Sequence, residues 1–219
     1  MKNIFAPFFA IVLLSGCASL LPGAKPLGDL YDLTPKSTFQ SGLPNVTWQV
    51  VVEEPFAASA VNTDRIALMP SLTEVRYYGD ARWVDRAPRL VQTLLVESFE
   101  NTNRIGAVGR QAIGLTSDFT IKSELREFQA EYFEPAASEP SEPKGTGPRV
   151  MVRLNLKIVK EPDGLIVASK SFEKAVNIES DDMKLIVAGF DKALGRVLKK
   201  SIAWSLLEID RIAPGGPTQ

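Results

Sequence analysis

Cys17 is the residue whose type and position most clearly suggest chemistry in this sequence. It is the only cysteine among 219 residues, and it follows Leu14, Ser15 and Gly16 at the end of an apolar run. That run, residues 4–14, holds about eleven residues, which suits a signal peptide but is short of the roughly 20 that a membrane-spanning helix needs. A thiol at this place is a candidate for lipidation.

The same residues resemble the bacterial lipoprotein signal, which reads Leu, then Ser or Ala, then Gly or Ala, then Cys. In that class of protein the cysteine thiol receives a diacylglycerol and the preceding peptide, here residues 1–16, is removed. Small side chains at Ser15 and Gly16 would let the peptidase approach the backbone, and Ala18 in place of an aspartate favours the outer membrane. Two other interpretations stay open: an ordinary cleaved signal peptide, and a buried cysteine in a cytosolic protein.

The chain that would remain, residues 17–219, has the composition of a folded protein of one domain with tails. Hydrophobic residues make up 45% of the sequence, charged residues 23%, and the formal net charge is −1. This near-neutral composition lacks the excess of basic residues that is typical of nucleic-acid-binding proteins. With its single cysteine lipidated, the domain could form no internal disulfide and would depend on core packing.

Histidine is absent from the whole sequence, and this removes several classes of enzyme. Serine–histidine and cysteine–histidine nucleophile schemes and zinc sites built on His and Cys are excluded. A carboxylate pair or a serine–lysine dyad could still act, but the 26 acidic residues are scattered and form no recognisable motif. We expect no catalytic residue, no metal and no cofactor.

Three segments read as irregular because proline and glycine recur in them. Residues 17–30 are predicted to be a flexible tether, residues 134–148 a mobile loop, and residues 208–219 a disordered tail. The folded domain is predicted between them, over residues 31–207.

Alternating and β-branched stretches predict strands over residues 48–52, 65–69, 73–78, 107–108, 118–128, 150–159, 165–168 and 170–176. The pair at 65–69 and 73–78 is predicted to form a hairpin. The alternation over 150–159 is nearly ideal, and residues 161–164, Glu-Pro-Asp-Gly, form a turn signal before its partner strand.

Helical spacing of apolar residues predicts one helix from Pro88 to Phe99 and a second over residues 181–207, with Ser180 as its N-cap. Two helices and several strands predict an α+β two-layer sandwich, with a mainly antiparallel sheet and both helices on one face.

Beyond the signal, the order of motifs is similar to the family of ABC-type transport auxiliary lipoproteins, which includes the lipoprotein of the paraquat-inducible intermembrane transport system. The resemblance covers about residues 31–207. The motifs are Asn62-Thr63-Asp64-Arg65-Ile66, Glu74-Val75-Arg76-Tyr77-Tyr78, Arg82-Trp83, and Pro88 with the helix after it.

The resemblance implies a fold similar to the N-terminal domain of TolB-like periplasmic proteins. It also implies a non-catalytic envelope protein whose partners are an ABC transporter and a periplasmic protein of the mammalian-cell-entry (MCE) type, in a system that moves lipids between membranes. The loop over 134–148 departs from the family pattern. The sequence leaves open whether the protein forms a homo-oligomer.

Tyr77, Tyr78 and Trp83 are the candidate site residues outside the lipobox, and two interpretations apply to them. They could form a docking surface, since Tyr and Trp are enriched in interface cores, or they could cap the edge of the sheet against the helix at Pro88. For the whole protein, the alternatives to a transport adaptor are a lipoprotein regulator of a peptidoglycan synthase and a small hydrolase that uses carboxylates.

Overall fold

A computed structural model describes residues 28–111, 117–133 and 147–213 of the chain. Its elements, in chain order, are β1 (Asp29–Tyr31), β2 (Val46–Val52), β3 (Phe56–Ala57), β4 (Arg65–Ser71), β5 (Glu74–Trp83), α1 (Ala87–Glu100), β6 (Ile105–Arg110), β7 (Phe119–Glu131), β8 (Arg149–Lys160), β9 (Leu165–Asn177) and α2 (Met183–Ile212). The strands form one mixed sheet, and the predicted α+β class is confirmed.

The sheet is organised around the long strand β7. One edge of β7 pairs along its whole length with β8, antiparallel, and β8 pairs in the same way with β9. The other edge of β7 is shared in succession by β2, β3 and β4, all parallel to it. The sheet therefore divides on that side, with β6 beyond β2, and with β5 and then β1 beyond β4. The longest ladders are antiparallel, as predicted, but this parallel junction was not foreseen.

Strand β8 shows why the sequence forms this sheet. Its residues Val150, Val152, Leu154, Leu156 and Ile158 point to one side and are fully buried. Strand β7 buries alternate residues on the same side, until the register of β7 against β8 shifts between Leu125 and Glu127. This bulge keeps Phe128 and Ala130 in the core, where strict alternation would have turned them outward.

Both helices pack on this apolar side and on each other. The amide of Gln92 in α1 donates to the carbonyl of Val52, 2.9 Å away, which fixes α1 over the end of β2. In α2 the buried residues recur along one face, from Ile186 to Ile209. The two-layer arrangement with both helices on one face follows from these contacts.

The start and end of α2 differ from the prediction. Asp182, not Ser180, is the N-cap, because its carboxylate accepts hydrogen bonds from the backbone N–H groups of Lys184 and Leu185 at 2.8 and 3.2 Å. The helix continues to Ile212 rather than Leu207, so residues 208–212 belong to the helix and not to the predicted tail. Trp48 donates its indole N–H to the carbonyl of Ala213 and holds this end over β2.

The molecule has two ends, which we name by the position of the first described residue. The near pole holds the β4–β5 hairpin tip, the end of β7 and the start of α2. The far pole holds the β8–β9 turn and the end of α2. Strand β1 runs parallel to β5, from Asp29 toward Tyr31, so its first residue is the one closer to the near pole.

Candidate functional site

The lipobox, Leu14 to Cys17, lies outside the described residues, as do residues 17–27 of the predicted tether, residues 134–146 of the predicted loop and residues 214–219 of the tail. Residues 29 and 30, which the prediction placed in the tether, belong instead to strand β1. The structure begins at Gly28, which lies directly against the backbone of β5. A Cβ atom added at Gly28 would be 2.4 Å from the carbonyl carbon of Asp80. Any other side chain here would displace the backbone, so the close approach of the chain to β5 at this position requires glycine.

Strand β5 is distorted next to this contact. Tyr77 pairs with Ala67 and Arg82 pairs with Arg65, so the four residues 78–81 lie opposite Ile66 alone. Because successive side chains of a strand point to opposite faces, Tyr77 and Tyr78 make separate contacts.

Tyr78 lies on the helix side and joins three elements at the near pole. Its hydroxyl is 2.9 Å from the hydroxyl of Tyr132, the residue after β7. Burial and this hydrogen bond raise the pKa of Tyr78 far above its ordinary value. Burial also raises the pKa of Tyr132, assisted by the nearby carboxylate of Asp181 just before α2, whereas its bond to Tyr78 acts in the opposite direction. Both phenols are therefore neutral near pH 7 and act as hydrogen-bonding groups.

Tyr77 points to the other side of β5. Its hydroxyl donates to the carbonyl of Ala60 at 3.1 Å, and the guanidinium of Arg65 lies 3.7 Å from the centre of its ring. These contacts hold the residues before β4 against the hairpin.

Trp83 is only 1% exposed and belongs to the core. Its ring centre lies 5.5 Å from that of Phe128 in β7 and 5.1 Å from that of Phe190 in α2. The aromatic partners of Trp83 thus lie in β7 and α2, whereas the edge-capping interpretation named the helix at Pro88. The three predicted aromatic residues do not form one surface, and a contact role fits only the partly exposed tyrosines.

A polar network that the sequence did not reveal lies on the face of the sheet turned away from the helices. Arg149 reaches Glu131 across the β7–β8 ladder at 2.5 Å, and this carboxylate is only 7% exposed. The amide of Gln129 donates to Glu131 and to Glu127, at 3.1 and 2.6 Å. The alternation of Glu127, Gln129 and Glu131 is the sequence signal that could have found it.

Large exposed apolar side chains occur at both poles. Leu72 is 72% exposed at the β4–β5 tip, and Val75 beside it is also exposed. At the far pole, Leu165 and Ile166 are 61% and 53% exposed at the start of β9. Among the described strands, β9 pairs only with β8, so its other edge offers backbone hydrogen-bonding groups.

The described residues offer little that fits hydrolytic chemistry. A cleft of about 290 Å³ lies beside the end of α1 and is lined by Ser37, Phe39, Gln40, Ser41, Leu43, Asn101, Thr102 and Arg104, with no carboxylate among them. Across residues 28–111, 117–133 and 147–213, no group of three or more acidic side chains could hold a metal ion. Neither of the two helices described has the length and hydropathy required to cross a membrane.

A family model for the ABC-type transport auxiliary lipoprotein component matches residues 31–203, which is most of the chain. The chain belongs to this family. Most of the matched domain lies within the described part of the chain, and the family is described as the auxiliary lipoprotein component of ABC-type transport. The resemblance found in the sequence motifs is thereby confirmed.

Two proteins of known sequence or structure are similar to this family member over most of its length. The uncharacterized protein bll6063 of Bradyrhizobium diazoefficiens is 26% identical over 198 residues, which is 90% of this chain and 50% of that protein. The chain thus spans about half the length of this curated relative. The crystal structure of protein XCC0632 from Xanthomonas campestris is 27% identical, with a TM-score of 0.75 over 85% of this chain and 99% of that one.

A further solved structure, of an uncharacterized protein, is 15% identical and has a TM-score of 0.53 over 82% of this chain. At this identity the likeness concerns the fold alone. It agrees with the mixed sheet and two helices of the auxiliary lipoprotein.

Proposed function

We propose that this auxiliary lipoprotein is anchored through Cys17 in the outer membrane, where it faces the periplasm as a non-catalytic adaptor of an MCE-type intermembrane lipid transport system. The observation that carries the proposal is the order of the chain: a lipobox at residues 14–17, then a domain whose residues 31–203 match the auxiliary family. An ABC transporter supplies the energy in such a system, so the adaptor's work is to bind and to position.

The chemistry of the domain supports a binding role. The sequence has no histidine, and a sole cysteine committed to an acyl chain leaves no thiol for catalysis. Many of the described charged groups form ion pairs, and some of these pairs join neighbouring strands, as Arg149 and Glu131 do. These features suit a rigid module that presents surfaces to other molecules.

We assign the partner protein to the far pole. Leu165 and Ile166 are exposed beside each other, and they begin the strand whose outer edge is free among the described strands. An extended segment of a partner could add to this edge, with main-chain hydrogen bonds supplying affinity and the two apolar side chains supplying contact area. This pole is also the one further from the N-terminal segment, so a membrane anchor would leave it accessible.

The anchor is tested by Cys17→Ala in the full chain expressed in its own host. We expect the protein to lose incorporation of a labelled fatty acid, to leave the membrane fraction, and to lose its function in transport while its domain stays folded. Ala18→Asp serves as the matched control, because it keeps the lipid but favours retention at the inner membrane. If the Cys17→Ala protein complements fully, the anchor is dispensable and the adaptor proposal fails.

The partner is tested by crosslinking and affinity purification of the anchored chain, followed by mass spectrometry. We expect an MCE-type protein to be captured by the native chain and by Leu207→Asp, which alters a leucine on α2 that is also exposed, but not by Leu165→Asp. Capture of a peptidoglycan synthase in place of an MCE-type protein would favour the regulator alternative.

A further inference from the structure

We propose that the β4–β5 hairpin tip at the near pole rests on the surface of the bilayer, with Leu72 as its apolar contact and zwitterionic phospholipid as its partner. This inference rests on the proposed lipid anchor. It goes beyond that anchor because it assigns a second membrane contact within the folded domain and fixes which end of the domain faces the membrane.

The position of Gly28 limits which pole can approach the membrane. Gly28 lies 11 residues after Cys17 and against Asp80, whose segment of β5 lies opposite Ile66. The hairpin tip is five residues further along β4, about 17 Å at roughly 3.3 Å per residue. The far end of β7 lies in the other direction. The distance along β7 from Phe128 to Phe119 is about 30 Å at the same rise per residue.

The length of the segment favours the near pole. Full extension of eleven residues reaches at most about 40 Å. The near-pole tip lies well within that reach. The far pole, about 30 Å away along β7, would take up most of it.

The hairpin tip has the chemistry of a lipid contact. Leu72 is 72% exposed, and the pairing of Ser71 with Glu74 leaves only Leu72 and an uncharged threonine in the turn. The nearest charges compensate each other, since Arg76 and Glu74 form an ion pair at 2.5 Å. A large apolar side chain on such a tip can enter the interfacial region without carrying an unpaired charge with it.

The β8–β9 turn at the far pole provides the contrast. It carries the two carboxylates of Glu161 and Asp163, which would resist burial in a headgroup layer. Acidic residues also surround the near-pole tip at a distance, at Asp80 and Asp181. These charges disfavour an anionic surface, and for this reason we commit to a zwitterionic bilayer.

The proposal can be tested by placing a probe on the tip of the full-length, lipidated protein. Because Cys17 is the only cysteine and its thiol is consumed by the lipid, Leu72→Cys introduces a single reactive thiol. It is labelled with an environment-sensitive nitrobenzoxadiazole dye. Leu165→Cys, on an equally exposed leucine of the far pole, is the matched control. Melting temperatures of both labelled proteins should equal that of the unmodified chain.

The labelled proteins are reconstituted into phosphatidylethanolamine–phosphatidylcholine vesicles, and quenching by lipids that carry a nitroxide on the acyl chain is measured. Since interfacial groups lie about 5 to 10 Å into the headgroup–acyl boundary, we expect quenching at position 72 to be at least about threefold stronger than at position 165. Addition of the anionic lipid phosphatidylglycerol should reduce the quenching at position 72.

Flotation of the vesicles separates the two proposals. Protein that floats and is quenched at position 72 supports both the anchor and the tip contact. Protein that floats but is quenched equally, or not at all, at the two positions keeps the anchor and overturns the tip contact. Protein that does not float overturns the anchor, and the tip contact with it.

Discussion

At the near pole the β4–β5 hairpin ends on an exposed leucine, whereas at the far pole the β8–β9 hairpin turns on two carboxylates and leaves its apolar residues on the strand that follows. The near pole is assembled from segments far apart in sequence, which meet through parallel pairing and the Tyr78–Tyr132 contact. At the far pole the apolar residues come from one local antiparallel hairpin, beside the end of α2. The two ends are thus built differently and offer different chemistry, which suits a module that holds a membrane at one end and a protein at the other.

The near-pole half depends on the ring cluster that joins it to β7 and α2. Trp83→Ala should lower the free energy of unfolding by about 3 to 5 kcal/mol, because it leaves a cavity between Phe128 and Phe190. Urea unfolding followed by circular dichroism measures this. The neighbouring exposed residue is the control, and Val84→Ala should change stability by less than about 0.5 kcal/mol. Equal effects would show that the cluster does not join the two halves.

Two arginines of strand β8, both on the face turned away from the helices, allow a buried ion pair to be compared with an exposed one. Arg149→Ala leaves the carboxylate of Glu131 buried without its cation, and we expect a loss of about 3 kcal/mol. Arg153→Ala removes a cation whose partner Glu173 is mostly exposed, and less than about 1 kcal/mol should follow. Chemical denaturation of both variants under the same conditions measures these two losses of stability. A larger loss for Arg153→Ala would contradict the burial argument.

The close approach of Gly28 to β5 is tested by comparing Gly28 with Gly79, which lies next to Asp80 but has open space around it. Gly28→Ala places a methyl group against the Asp80 backbone and should cost about 1 to 3 kcal/mol. Hydrogen exchange in β1 should become faster at the same time. Gly79→Ala, whose new methyl group meets nothing within 4 Å, should leave exchange in β1 unchanged. If the two variants show the same exchange rates in β1, the close approach at Gly28 does not hold β1 in place.

The smallest effect is expected at the tyrosine pair. Tyr78→Phe should lower the free energy of unfolding by about 1 kcal/mol, since it removes one hydrogen bond to Tyr132. The raised pKa of Tyr78 means that the folded state keeps this proton while the unfolded chain loses it above pH 10.0, so the native protein should lose stability as pH rises beyond that value. The Phe variant should lose less over the same pH range. Equal slopes for the two proteins would place the alkaline sensitivity elsewhere.

Local periodicity was enough to predict much of this fold. The alternation in β8, the Glu-Pro-Asp-Gly turn and the apolar stripes of both helices are properties of neighbouring residues, and the structure has all of them. The choice of N-cap failed because Ser180 and Asp182 are both good caps, and only the path of the backbone decides which carries the first turn.

What could not be predicted depends on contacts distant in sequence. Strands β1 and β3 have three and two residues, too few to show a period, and they exist because β5 and β7 offer them edges. Three strands share one edge of β7, and no local sequence pattern indicates this arrangement. Trp83 was named as a surface candidate because aromatic residues favour both cores and interfaces, and the sequence does not distinguish these places. The order of lipobox and motifs, in contrast, predicted the family correctly.

The central claim, that opposite poles serve the membrane and the partner, is tested most directly by photocrosslinking in living cells. A photoreactive amino acid is placed at position 72 or at position 165 of the anchored chain, and the products are identified by mass spectrometry. We predict that position 165 captures an MCE-type protein and that position 72 captures phospholipid without it. Capture of the MCE-type protein at position 72, with lipid at position 165, would contradict the assignment of the two poles.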